Sequence, residues 1–245
     1  MNNNIPLNIG NNAQVPAEMN YPKMNFFQRV LGVIFSPGKT MQSLAQKPRI
    51  LFGLLLTLLT PVVMIFAIFP MFLEYTRGTF ETLYPNFTAE QIDQGVNIAA
   101  VSGPIGGAIG AVAMWFLGAL ALWVIIKIFK GQGQYKQVLS ILGYAAVISA
   151  LAANVTILAT QLTGVYSDVS YTSLASLIPN MKGSFIFGVA RSIDIFSIWK
   201  YVVIAIGVFS VSKLEKKKVY IIVACIFAAL AIYTGIGEVS TAALF

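Results

Sequence analysis

The 245-residue chain is 57% hydrophobic and only 10% charged, with a mean hydropathy of +0.77; a soluble globular domain carries about 25% charged residues, so this is the composition of a membrane protein. A net charge of +7 would suggest nucleic acid in a soluble chain, but here the excess lies beside apolar stretches, where it sets orientation and meets anionic headgroups, and no nucleic-acid partner is expected. The chain has no histidine and a single cysteine, Cys225, which removes the commonest metal ligand and general base and excludes an intramolecular disulfide.

Residues 1–22 are Asn-rich and interrupted by Pro6, Pro16 and Pro22, and they read as a disordered cytoplasmic tail. No basic region followed by an apolar core precedes Lys23, so the first span is expected to be an uncleaved anchor. Residues 23–49 form an amphipathic interfacial segment. Phe26, Phe27, Val30, Leu31 and Ile34 recur at helical spacing with Gln28 and Arg29 off the stripe, a run too short to cross a bilayer and suited to the inner interface. Ser36, Pro37 and Gly38 make a turn or helix start, followed by a second short helix to about Gln46. Gly38-Lys39-Thr40 looks like the end of a phosphate-binding loop, but the glycine required five residues earlier is Val33, and a turn is the better reading.

Five apolar stretches follow, near 50–73, 101–126, 137–163, 193–212 and 219–237, each long enough as a helix to cross about 30 Å of hydrocarbon. Twelve of the sixteen basic residues fall before the first stretch, between the second and third, or between the fourth and fifth; seven of the nine acids occupy the opposite gaps and the C-terminus. Because topology follows Lys and Arg in short loops, the N-terminus is expected in the cytoplasm and the C-terminus outside. Residues 50–237 are thus a five-span membrane domain and 238–245 an external tail. In the outer loop from about 74 to 98, Thr88 and Gln91 fit a capping box that starts a helix feeding the second span.

Polar and small residues inside the spans are the candidate functional positions. Gly103, Gly106, Gly107 and Gly110 make overlapping small-xxx-small pairs on the second span, a packing face expected to seat another helix of this chain, with a homodimer or partner seam as the alternative. Asn154 and Gln161 lie two turns apart on the third span and are read as interhelical hydrogen-bond formers. Arg191 and Asp194, three residues apart at the fourth span, are expected to face each other as a structural pair, with Asp194 also near a helix start. The acids are scattered over outer loops, so no nucleophile has a base within reach. No catalysis, cofactor or metal is expected.

The layout from Phe26 to about Tyr233 resembles the Ypt-interacting-protein family, the Yip-type membrane domain. The match is carried by Phe27 to Pro37 with Leu44; by Gln132 to Ser140 with Gly143 and Tyr144; and by Asp194 to Trp199 with Gly207. The resemblance implies an all-α, polytopic membrane protein with five transmembrane helices and an N-terminal interfacial helix. Eukaryotic members assist vesicle traffic with small GTPases and carry a longer cytoplasmic tail with an Asp-Leu-Tyr-Gly-Pro-like motif. This chain has neither and resembles a prokaryotic member, for which the resemblance implies an accessory role in membrane transport or export assemblies. The expectation is a non-enzymatic plasma-membrane protein whose partners are lipid and other membrane proteins. The alternative is a small transporter or channel with a polar site between helices.

Overall fold

The computed structural model describes residues 24–242; the expected N-terminal tail, residues 1–22, lies outside the described residues. Among those residues the fold is all-α, with one isolated bridge between Ser173 and Asp194. Five helices are long and apolar enough to cross a membrane.

Helix α1, Phe26–Phe35, starts on a capping box in which Asn25 and Gln28 satisfy each other's backbone N–H, and α2, Pro37–Gln46, starts on Pro37, whose fixed φ suits the first turn. Both lie where the hydrophobic spacing puts them, but neither is a loose interfacial arm. Val33, Met41 and Leu44 are fully buried in the main core, while Phe27, Leu31 and Phe35 stay exposed on the opposite face of α1.

The first span, α3, runs Ile50–Ala67, not on to residue 73. It breaks at Ile68, and a separate helix α4, Phe69–Leu83, restarts with Pro70 in its first turn, because Pro70 has no N–H to donate to the carbonyl four residues back. The second span, α5, is a single helix from Ala89 to Ile128 begun by the expected Thr88–Gln91 box. At 40 residues it is about 60 Å long, roughly twice the hydrocarbon thickness. Arg77 of α4 ion-pairs with Asp93 near its start. Helix α6, Tyr135–Thr163, is the third span, and a left-handed Gly164 ends it.

After a loop with two short 3₁₀ turns come α7, Phe185–Ser192, a short helix absent from the apolar pattern, then the fourth span α8, Ile195–Ser212, and the fifth, α9, Lys216–Ala242. The core gathers where α2, α3, α5, α6 and α8 meet, around Trp115, Ile126, Ile141, Tyr144, Val203 and Val208. Helices α3 and α6 touch backbone to backbone: a Cβ built on Gly53 would stand 2.5 Å from Gly143 Cα, and one on Gly143 2.7 Å from Gly53 Cα. Trp115 closes this crossing and donates its indole N–H to the Leu139 carbonyl at 3.2 Å.

Candidate functional site

The expected small-residue seam is elsewhere. Among the described residues, a Cβ on Gly106, Gly107 or Gly110 would meet nothing within 4 Å, and one on Gly103 only the ring edge of Phe72 at 3.4 Å. These four glycines therefore do not seat a neighbouring span of this chain; α6 approaches α5 on another face, where Trp115 and Ala119 are buried. The close helix contacts are Gly53 with Gly143, and Gly188 of α7 with Gly235 of α9, whose Cα would lie 2.7 Å from a Cβ on Gly188.

Asn154 is exposed and donates to the Ala150 carbonyl of its own helix at 2.8 Å, so it bridges no helices. Gln161 does reach across: its Nε2 donates to the Ala67 carbonyl at 3.3 Å. Ala67 ends α3, where the last carbonyls lack intrahelical donors, so this amide serves the broken end of the first span.

Arg191 and Asp194 do not pair. Helix α7 ends at Ser192 and Asp194 is the N-cap of α8, so the helical spacing between them is interrupted. Asp194 Oδ1 accepts the backbone N–H of Phe196 at 2.9 Å and of Ser197 at 3.1 Å. Its Oδ2 accepts the hydroxyls of Ser170, at 2.8 Å, and Thr172. Burial pushes the carboxyl up, but these four hydrogen bonds outweigh it and hold Asp194 below the usual carboxylate range. The side chain is a helix cap that also fastens the preceding loop.

Arg191 instead joins a chain of alternating charges. Its Nη1 lies 3.0 Å from Glu238 Oε2 of α9 and 3.5 Å from Asp168 Oδ2, and its Nη2 donates to the Asp168 carbonyl at 3.0 Å. Lys182 Nζ sits 3.3 Å from Asp168 Oδ1, and the Gly183 N–H donates to Glu238 Oε1 at 3.2 Å. Sequence reasoning missed this network, because its directly bonded partners are separated by up to 55 residues along the chain. The only signal was the placement of acids and lone bases in the same set of gaps. The network floors a cleft of about 1040 Å³ between α4 and α9.

Most of the residues that carry the family resemblance do positional work at the opposite end, whereas Asp194 and Trp199 belong to the start of α8. The Gln137 side chain donates to the Ala45 carbonyl, and Ser140 Oγ accepts the Arg49 N–H at 2.9 Å, which fixes the α2–α3 turn on α6. The Gln132 N–H donates to the Ser212 carbonyl at 2.7 Å, so the α5–α6 loop lies on the end of α8. Tyr144 is buried with its ring 4.9 Å from that of Phe52. Gly207 leaves room for Ile141 and Met41, and Trp199 stands partly exposed on α8. The basic loops thereby gather at one end of the bundle, and the Asp194 and Arg191 clusters at the other.

Among the described residues, five apolar helices and a core gathered toward one end define an all-α, multi-pass membrane protein. The chain matches the Yip1 domain over residues 31–237 and belongs to that family. It is similar to Membrane protein YknW of Bacillus subtilis (strain 168), 26% identical over 234 residues that cover 96% of this chain and 95% of the relative. No solved structure matches it.

Proposed function

We propose that this protein is a non-catalytic accessory or scaffold of the plasma membrane that packs against another membrane protein, as part of a transport or export assembly. The basic end of the bundle faces the cytoplasm and the Asp194 end the outside, following the division of Lys and Arg. The observation that carries the reading is the open face of α5, where a Cβ added at Gly106, Gly107 or Gly110 has no neighbour within 4 Å among the described residues. Exposed backbone of this kind lets a foreign helix approach closely, which is the main source of association energy in lipid. The alternative of a small transporter or channel needs polar side chains from several helices converging at mid-depth. Asn154, the amide side chain nearest that depth on α6, bonds its own helix.

A photo-crosslinking residue at Gly107 in native membranes tests the proposal. Adducts to a different membrane protein are expected. Adducts only to a second copy of this chain would replace the scaffold with a homo-oligomer, and lipid adducts alone would overturn the reading.

A further inference from the structure

Two helices that do not belong to the same half of the bundle face each other across the outer cleft. Helix α4 packs on α5, whereas α9 packs on α7 and α8. Tyr75, Gly78, Thr79 and Thr82 line one wall, and Tyr233, Thr234, Gly237 and Thr241 line the other. Each set recurs every three or four residues, so each is one stripe of a helix. Among the described residues, nothing lies within 4 Å of a Cβ added at Gly78 or Gly237. The volume of about 1040 Å³ falls at the large end of small-molecule sites.

The floor carries equal numbers of opposite charges in contact, Lys182 and Arg191 against Asp168 and Glu238. Such a floor gives little advantage to a net anion or cation, but it matches a ligand that carries both signs a few ångströms apart. Lys182 directly precedes Gly183, whose N–H donates to Glu238, and both Lys182 and Glu238 line the cleft. The Lys182 side chain is 58% exposed, and its ammonium has three donors, of which Asp168 takes one. The carboxylates and the threonine hydroxyls accept N–H, which favours a primary ammonium over a quaternary one. The walls belong to a membrane span, α9, and to a helix that continues directly from another, α3, so a ligand with acyl chains has hydrocarbon beside it.

We propose that the cleft between α4 and α9 binds the zwitterionic headgroup of a phosphoethanolamine lipid, its phosphate on Lys182 and its ammonium toward Glu238 and the hydroxyls. No residue of α5 lines this cleft, so the two readings fail separately.

The full chain in detergent is titrated with phosphatidylethanolamine, phosphatidylcholine, phosphatidylglycerol and the acyl-free glycerophosphoethanolamine, and bound species are counted by native mass spectrometry. One phosphatidylethanolamine is expected to bind at least tenfold more tightly than the other two lipids, and the acyl-free compound only weakly. The Gly78→Leu/Gly237→Leu variant fills the cleft without removing a charge; it is expected to lose the preference while melting like the parent in lipid-free detergent. Should that variant fail to fold, Lys182→Gln, at an exposed side chain, carries the comparison and is expected to reduce the preference severalfold. Equal binding of phosphatidylcholine or phosphatidylglycerol, a preference that survives the tested variant, or glycerophosphoethanolamine binding as tightly as the lipid would each overturn the proposal.

Discussion

Gly53 and Gly143 meet backbone to backbone where α3 crosses α6, with the Trp115 ring edge 3.3 Å from either added Cβ. Neither neighbour is a flexible side-chain tip that could swing aside, so a substituent must push the helices apart. Gly143→Leu is expected to lower stability by about 1–3 kcal/mol or to prevent folding, the range for overpacking a filled site. Gly107→Leu is expected to melt within about 0.5 kcal/mol of the parent, as a surface change does. Thermal unfolding of both in one detergent checks the contrast, and an equal loss at Gly107 would return the seam to α5.

Asp194 supports α8 chiefly through its hydrogen bonds. Asp194→Ala is expected to cost about 0.5–2 kcal/mol, the range for a lost N-cap, and Asp194→Asn less. Its carboxyl is held below the ordinary value, so its contribution is complete above the unfolded carboxylate pKa of about 3.9 and is lost as pH falls through the lower folded value. Unfolding followed from pH 6 to pH 2 should show a loss in the parent that Asp194→Asn does not share. A proton or cation flux in vesicles that disappears in Asp194→Asn would refute the structural role.

Removing the Arg191 guanidinium leaves Glu238, whose side chain is 10% exposed, with the Gly183 N–H as its one remaining partner among the described residues. Arg191→Gln is expected to destabilise by about 1–3 kcal/mol, the scale of an unsatisfied buried polar group. The signature is local: hydrogen exchange should speed up in residues 164–183 and at the end of α9, with the core around Tyr144 unchanged.

Orientation follows from the charge division. Reporters placed at Glu81, Gln134, Ser173 and Lys217 are expected to read outside, inside, outside and inside. An inside reading at Ser173 would break the five-span arrangement.

What the sequence announced was whatever depends on local pattern. The apolar stripe from Phe26 to Ile34, the Pro37 start and the Thr88–Gln91 box each sit within a few residues, and α1, α2 and α5 begin there. The break at Ile68 was hidden because Ile68, Phe69 and Met71 are as apolar as the span they interrupt, which leaves Pro70 as the sole mark. Site geometry was less legible, since its partners are remote. Asp194 finds hydroxyls 22 and 24 residues away, and Arg191 a carboxylate 47 residues on. Spacing along one helix pointed Arg191 at Asp194 because it could not register that α7 ends between them. Likewise, the densest run of glycines faces outward, and the glycine contacts that hold the bundle join residues from different helices.

The length of α5 gives the bundle a mechanical property. Its core contact at Trp115 lies 27 residues from the capping Thr88, a lever arm of about 40 Å at 1.5 Å per residue. Pivoting about that point by 5° would sweep the far tip through about 3–4 Å, carrying α4 with it through Arg77 and Asp93, while the pivot itself hardly moves. A partner leaning on the open glycines of this helix would thus change the spacing between α4 and α9 by more than it shifts the core, whose farthest α5 side chain, Ile126, lies only 11 residues beyond the pivot.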